Sequence, residues 1–441
     1  MRNKSTLSGS VFRRLYAGLL APGVIRKLFR LCGPACRRPP IITAVELIMG
    51  LVWHVLQGTG TFAENMSVLT RKKITDGALS QRRTALPWQI FESILEAALS
   101  PKAKPEEHPE AFYHGLRLCG TDGSSFSVAN TPQVKKTMTK AVSRRRKAAF
   151  AKIGVVTLVE LGLHNPIGAA IGPAGESEMA LAHYLIHELP EKSLWISDRY
   201  YGVPSLVMQI AELYPKGGRE FLLRVRRNIK VRVVEAYKDG SALVEIKQGK
   251  KTCVVREIVG RVRRGRGKWS TVRLWTSLLD WKKHPAEELL ALYSRRWEQE
   301  IFYKELKVDM RSSLLLQSHT QITAAQEIAA LILAYAILVD ERIKAAKVGE
   351  VAVLRISFSK TLHLVRGLWH FLEVSEGILT ADQVRKVVRR TLRLIAQRAI
   401  PKRRQRSCPR ELRQPVSSWP RLLRNTYQKG AAQYEITHAT T

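Results

Sequence analysis

Cysteine is scarce, five in 441 residues. An odd, scattered set excludes a disulfide framework and suits a reducing compartment. Cys32 and Cys36 stand as C-x3-C, but no matching Cys or His pair follows, so no zinc site is expected there. His183 and His187 are spaced i,i+4. The metalloprotease helix needs Glu directly after the first His, and Tyr184 stands there; both read as ordinary helix residues. Long apolar runs are missing too. The longest, IAALILAYAILV at 328–339, is too short for a bilayer and fits a buried core helix. The first twenty residues have basic groups but neither a clean apolar segment nor a cleavage site. The expectation is a cytoplasmic protein with no membrane partner. No internal repeat is found.

Acidic residues are also few, 37 against 73 Lys and Arg, a formal net charge of +36. A pI near 10.4 at this size calls for a polyanionic partner. The basic residues are spread along the whole chain. That favours a nucleic-acid path over a single membrane-facing patch. Hydrophobic content of 45% argues for folded domains with a sizeable core.

Residues 1–105 read as short helices joined by tight turns, including one at Asp76-Gly77. Arg71, Lys72, Lys73, Arg82 and Arg83 lie near those turns, as a helix-turn-helix-like DNA reader would place them. PKAKPEEHPE, 101–110, reads as a linker. Over 111–225 the order is three strands, helix, strand, helix, strand, which is that of an RNase H-like α/β core. A basic, strand-free loop with Arg144, Arg145, Arg146 and Lys147 is expected within it. Residues 226–284 read as a β insertion, with Lys238-Asp239-Gly240 as a hairpin signal. Residues 285–346 supply a long helix and the buried one, completing the core. Residues 347–441 form a basic helical C-terminal region; 14 Lys and Arg between 385 and 424 face Glu411 alone, which suits nonspecific DNA contact. The fold class is α/β, an RNase H-like core interrupted by a β insertion, with helical regions at both ends.

The stretch 284–310 is predicted to be one long helix, with Pro285 in its first turn. At about 100° per residue, Tyr293, Arg296, Glu300 and Lys307 share one stripe. Trp297, Ile301 and Val308 fall on another face and are expected to anchor the helix to the core. Asp122, in Thr121-Asp122-Gly123, and Asp198 end strands that the core would make neighbours. The Glu300 helix would pack across them. Three carboxylates converging in so basic a chain call for divalent cations of the hard, oxygen-loving kind, Mg²⁺ or Mn²⁺. Two ions about 4 Å apart serve in-line displacement at phosphorus.

Tyr293, Arg296, Glu300 and Lys307 match Y-x2-R-x3-E-x6-K without a gap. The pattern resembles the signature of bacterial insertion-sequence transposases of the DDE class, family four of the insertion sequences. Thr121-Asp122-Gly123 resembles that family's first aspartate motif and Ser197-Asp198-Arg199-Tyr200 its second. The resemblance covers 115–310 well and the two ends only in outline. It implies catalytic and metal-binding roles for Asp122, Asp198 and Glu300. It implies DNA contacts for Tyr293, Arg296, Lys307 and Arg199. It further implies a homodimer on double-stranded DNA that cleaves transposon ends and joins the 3′-hydroxyls to target DNA, commonly through a hairpin. In such enzymes an aromatic residue of the insertion often stacks on an extruded base. Trp269, Trp275 and Trp281 are all near enough, and spacing does not choose among them. The competing readings are a metal-dependent nuclease without strand transfer and a DNA-binding protein with a dead site.

Overall fold

A computed structural model describes residues 41–142, 148–262, 270–311, 313 and 315–400. The Cys32–Cys36 pair, the basic run 144–147, Trp269 and the tail beyond 400 lie outside the described residues.

Four helices open this part: α1 (Ala44–Gln57), α2 (Phe62–Thr70), α3 (Asp76–Thr84) and α4 (Trp88–Ala98). Threonines begin three of them. Thr43 and Thr61 form capping boxes with Glu46 and Glu64, and Thr75 accepts from the Ala78 amide, each satisfying an amide that the helix itself cannot. Asp76-Gly77 is thus not a turn but the start of α3, where an acidic residue complements the helix dipole. Residues 101–110 are not a loose linker either. The amides of Lys102 and Ala103 donate to Glu160 at 2.8 and 3.0 Å, and Ala103 is buried.

The strands and helices that follow are β1 (Phe112–Tyr113), β2 (Leu116–Val128), α5 (Pro132–Thr137), β3 (Ala151–Glu160), β4 (Asn165–Gly172), α6 (Glu178–Leu185), β5 (Ser193–Gly202), α7 (Pro204–Leu213), β6 (Arg219–Val225), β7 (Arg232–Ala236), β8 (Ala242–Gln248), β9 (Lys251–Val262) and β10 (Ser270–Thr276). Then come α8 (Ala286–Leu292), α9 (Trp297–Lys304), β11 (Leu315–Leu316), α10 (Gln321–Gly349), α11 (Phe358–Val374) and α12 (Ala381–Ala396). One sheet runs β4-β3-β2-β5-β6-β10-β9-β8-β7, with β1 and β11 also pairing to β2. The pairs β2–β5 and β5–β6 are parallel, and β2–β3 and β3–β4 antiparallel.

β2 is longer than the sequence reading, which ended the strand at Asp122. Phe126 and Val128 alternate with Ser125 and Ser127, and the two apolar residues are buried, so the strand continues. Asp122 therefore lies inside a strand, not at its end, and Asp198 likewise lies inside β5 and not at its end. Adjacent residues of β3 enter different cores: Val155 packs with α10, and Val156 with α6 and α7. Helices thus cover both faces of the sheet, as parallel pairing requires. α10 carries the apolar run and is buried nearly all round. It is long and apolar enough to cross a membrane, but here 89% of that window is packed inside the protein. The N-terminal helices share its core, and Arg83 faces inward to Ser318 Oγ and Thr323 O at 2.9 and 2.6 Å. Arg83 is thus withdrawn from the DNA-facing set expected of it.

Strands β7 to β10, from the segment expected as an insertion, extend the same sheet. Their hairpin residue Asp239 accepts from the Ala286 amide at 3.0 Å, at the start of α8. It also accepts from the buried guanidinium of Arg256 at 2.5 Å.

Candidate active site

β2 and β5 pair in register from Arg117↔Ser193 to Thr121↔Ser197. The next residues are Asp122 and Asp198. The ladder is finished by a side chain: Ser197 Oγ donates to Thr121 O at 2.6 Å, and Trp195 Nε1 donates to Thr121 Oγ1 at 2.9 Å. The two aspartates are thereby brought side by side. Asp198 accepts from the Tyr200 amide at 2.7 Å, a local turn that fixes its carboxylate. Arg199 is exposed beside it.

Burial and then the negative charge of Asp198 push the Asp122 carboxyl up to about 7, although the Gly123 amide and Arg296 pull the other way. Like charges crowded in low dielectric have this effect. A carboxyl with a raised pKa weakens the fold as it ionises, so stability falls as pH rises from 3.8 through about 7. Asp122→Asn is therefore expected to stabilise the metal-free protein at pH 8. At about 1.4 kcal/mol per tenfold, discounted for partial exposure, the gain is roughly 2–4 kcal/mol. It should vanish near pH 4, which thermal melts at the two pH values would check.

The helical run from Ala286 is continuous in direction but not in pitch. α8 tightens into a 3₁₀ turn at Tyr293–Arg296, α9 follows, and a π turn closes the run at Glu305–Asp309. A uniform 100° per residue therefore misassigns its faces. Trp297 and Val308, expected to anchor it, are 42% and 63% exposed. Phe302, Tyr303 and Leu306 are the buried residues, with Gln299 and Glu305 beside them.

A polar seam ties this buried face to the sheet. Gln299 Nε2 donates to Thr157 O and Oγ1, both at 3.2 Å. Tyr303 Oη donates to Asp122 O at 2.8 Å and accepts from Thr157 Oγ1 at 3.0 Å. Lys307 Nζ donates to Ser124 Oγ and Ser125 O at 3.0 and 2.9 Å. Gly120 permits the approach: a Cβ there would lie 2.6 Å from Leu161 and 3.1 Å from Gln299 Oε1. Asp122 points to this helix's side of the sheet, on the same strand face as Phe126 and Val128.

Glu300 is held by Arg296, Nη2 to Oε1 2.6 Å. Arg296 also acts on Asp122 and Tyr293, so it links the glutamate to the aspartate pair. Burial pushes the Tyr293 phenol up to about 12, with Arg296, Arg224 and Asp198 all near enough to act on it. Among the described residues no three carboxylate, His or Cys side chains already form a metal-sized cluster. The donor set nonetheless fits a hard divalent cation. The aspartates are hard oxygen ligands, and the mutual repulsion that raises Asp122 is what such an ion relieves.

Trp275 is fully buried and donates to Glu257 at 2.9 Å, which removes it from the stacking candidates. Trp281 stacks on Tyr237 with ring centres 6.1 Å apart. His183 pairs with Gln209, consistent with an ordinary helix residue. Sequence reasoning missed Glu178, whose carboxyl lies against Gly123 and takes a 2.8 Å bond from Tyr201. A Glu opening a helix reads as a dipole partner, and its approach to β2 is a tertiary contact. It also missed Tyr303 and Gln299, for the reason of pitch given above.

Residues 115–337 match the family described as Transposase DDE domain, a span that includes Asp122, Asp198 and Glu300. The chain belongs to the DDE transposases. The transposase is 24% identical over 396 residues to Transposase InsG for insertion sequence element IS4 of Escherichia coli strain K12, covering 87% of each chain. It is also 24% identical over 172 residues to the InsZ protein of the same strain, 38% of this chain and 54% of that one. Among solved structures, a piggyBac transposase synaptic complex with hairpin DNA aligns with 87% of this transposase and 84% of that chain, at 11% identity and a TM-score of 0.41; that likeness is too distant to carry an argument. The transposase is thus an insertion-sequence enzyme acting on DNA, and its domain implies divalent-metal dependence in general terms.

Proposed function

We propose that this protein is a cut-and-paste transposase that binds the ends of its insertion sequence, cleaves them and joins the freed 3′-hydroxyls to target DNA. The observation that carries the reading is the pairing of Asp122 and Asp198 on adjacent parallel strands, with the Glu300 helix bonded to the first of them. The strand order β4-β3-β2-β5-β6 supports an RNase H-like core, with β7 to β10 as the insertion. Residues 1–105 are assigned to end recognition and 347–441 to nonspecific DNA contact. In the latter, Arg385, Lys386, Arg389, Arg390 and Arg393 are exposed on α12.

Asp122, Asp198 and Glu300 are the residues proposed to hold two Mg²⁺ or Mn²⁺ ions. Bound there, the ions would supply an activated hydroxyl and a stabilised leaving oxygen. The chain's own part is to hold DNA in line. Arg296 is suited to pass from Glu300 to a phosphate, since guanidinium pairs with either in the same forked geometry. Tyr293, Lys307 and exposed Arg199 complete the phosphate contacts. A hairpin intermediate and a homodimer on DNA belong to the same proposal.

The test is incubation of the full-length protein with Mg²⁺ and the DNA flanking its gene. Joined products support transposition. Cut ends alone indicate a nuclease, and bound but intact DNA a dead site. A second test concerns Lys307, whose ammonium has three donors, two of them engaged by Ser124 and Ser125. Lys307→Ala is expected to weaken end binding and lower the slope of log K against log salt by about 1. An unaltered slope would confine Lys307 to bracing β2.

A further inference from the structure

The family pattern names Tyr293, Arg296, Glu300 and Lys307, yet the side chain that hydrogen-bonds the glutamate helix to the backbone of the first aspartate is a different one. Tyr303 lies one turn beyond Glu300. Its ring is buried, packed edge-on to Phe302 with ring centres 5.2 Å apart. Its hydroxyl gives its proton to the backbone carbonyl of Asp122 at 2.8 Å. Thr157, on the neighbouring strand, donates to the same hydroxyl at 3.0 Å. Thr157 in turn takes the Gln299 amide through its own oxygen at 3.2 Å. A rigid ring of fixed length thus spans from the Glu300 helix to the peptide that carries the Asp122 side chain.

We infer that Tyr303 is a positioning residue, whose hydroxyl sets the gap between the Asp122 and Glu300 carboxylates by gripping the Asp122 backbone from one turn beyond Glu300. The inference rests on the active-site reading above. The hydroxyl is enclosed by its bonds to Asp122 O and Thr157 Oγ1, so its effect on cleavage would pass through the two carboxylates. Phenylalanine fills the same space and keeps the ring contacts, so the substitution removes only the hydroxyl's bonds to Asp122 O and Thr157. Two carboxylates serving a common ion pair tolerate little displacement, because in-line attack needs the reacting atoms aligned.

The experiment uses full-length protein, its transposon-end DNA and Mn²⁺. Tyr303→Phe is expected to lower the single-turnover cleavage rate by about ten- to a hundredfold while KM for DNA stays within about twofold. Mn²⁺ binding to the DNA-free protein, followed by electron paramagnetic resonance, should weaken in parallel. A residue that only stabilises the fold would move the melting temperature and leave both readouts alone. Wild-type cleavage with a wild-type Mn²⁺ titration would overturn the inference. If Tyr303→Phe melts too early to assay, both readouts are taken beside wild type at a temperature below its melting range, where a rate loss with weakened Mn²⁺ binding supports the inference and wild-type values overturn it. Asp122→Asn is run alongside. Should that variant cut normally, the active-site reading itself fails; should it be dead while Tyr303→Phe cuts normally, only the positioning role does.

Discussion

Glu300→Gln should leave the protein bound to transposon-end DNA and stop it cutting. The change conserves shape and removes one charge, and Gln remains able to accept from Arg296, now paired with Glu300 at 2.6 Å. Folding and end recognition are therefore expected to survive. On the proposed metal assignment the change would remove a carboxylate ligand, and with it metal-assisted attack and leaving-group stabilisation. A fall in cleavage rate of at least about 10³, some 4 kcal/mol of barrier, is expected. Gel-shift affinity and strand cleavage measured on one preparation check it. Cutting at the wild-type rate would remove Glu300 from the metal site. Weakened binding with proportionate cutting would instead make it a DNA-orienting residue.

The second large effect lies behind the same helix. His164 is buried in the turn between β3 and β4. Its Nδ1 meets Glu305 Oε2 at 3.0 Å and its Nε2 meets Glu298 Oε2 at 2.8 Å. Glu305 also takes a 2.5 Å bond from Tyr335 and lies 3.5 Å from Arg342. Burial alone would push His164 down, but the Glu305 and Glu298 carboxylates outweigh it and raise the pKa. Burial would likewise raise Glu305, yet His164 and Arg342 bring it down to about 2. Removing one partner strands the others in low dielectric. Glu305→Gln, which keeps an acceptor for Tyr335, is expected to cost roughly 3–5 kcal/mol. The Glu305 contribution is complete above its ordinary 4.5 and disappears as pH falls toward about 2. The His164 contribution is complete below 6.5 and is lost as pH rises through its raised value. The gap between wild type and variant should therefore be widest between about pH 4.5 and 6.5, as urea melts across pH would show. A gap independent of pH would mean the loss is one of packing, not charge.

Much of the site was legible in the sequence because it is local. The two aspartate motifs and the Tyr-Arg-Glu-Lys spacing sit in short, ungapped stretches. The neighbouring of β2 and β5 follows from the order of strands and helices. What was not legible depends on the third dimension or on changes of pitch. The exposure of Trp297 and Val308 follows from 3₁₀ and π turns that a single angle per residue cannot express. Arg83 reads as a DNA-facing charge until α10 and the turn before it supply Thr323 and Ser318 for it to bond. The His164 cluster joins residues from three separate segments, and no spacing rule connects them. The extension of β2 past Asp122 was readable, since Phe126 and Val128 alternate with serines, but the serines read as loop.

Asp239 gives the strands β7 to β10 a mechanical meaning. This hairpin residue holds both the buried Arg256 and the first amide of α8, while β10 is zipped to β6. The excursion is welded to the scaffold at two places, not hung from it. A load applied by nucleic acid to the outlying strands has a stiff route to the base of the helix carrying Glu300. Excising the excursion would leave the Ala286 amide without Asp239 and β6 without β10 on one edge, so a core trimmed there is expected to lose stability.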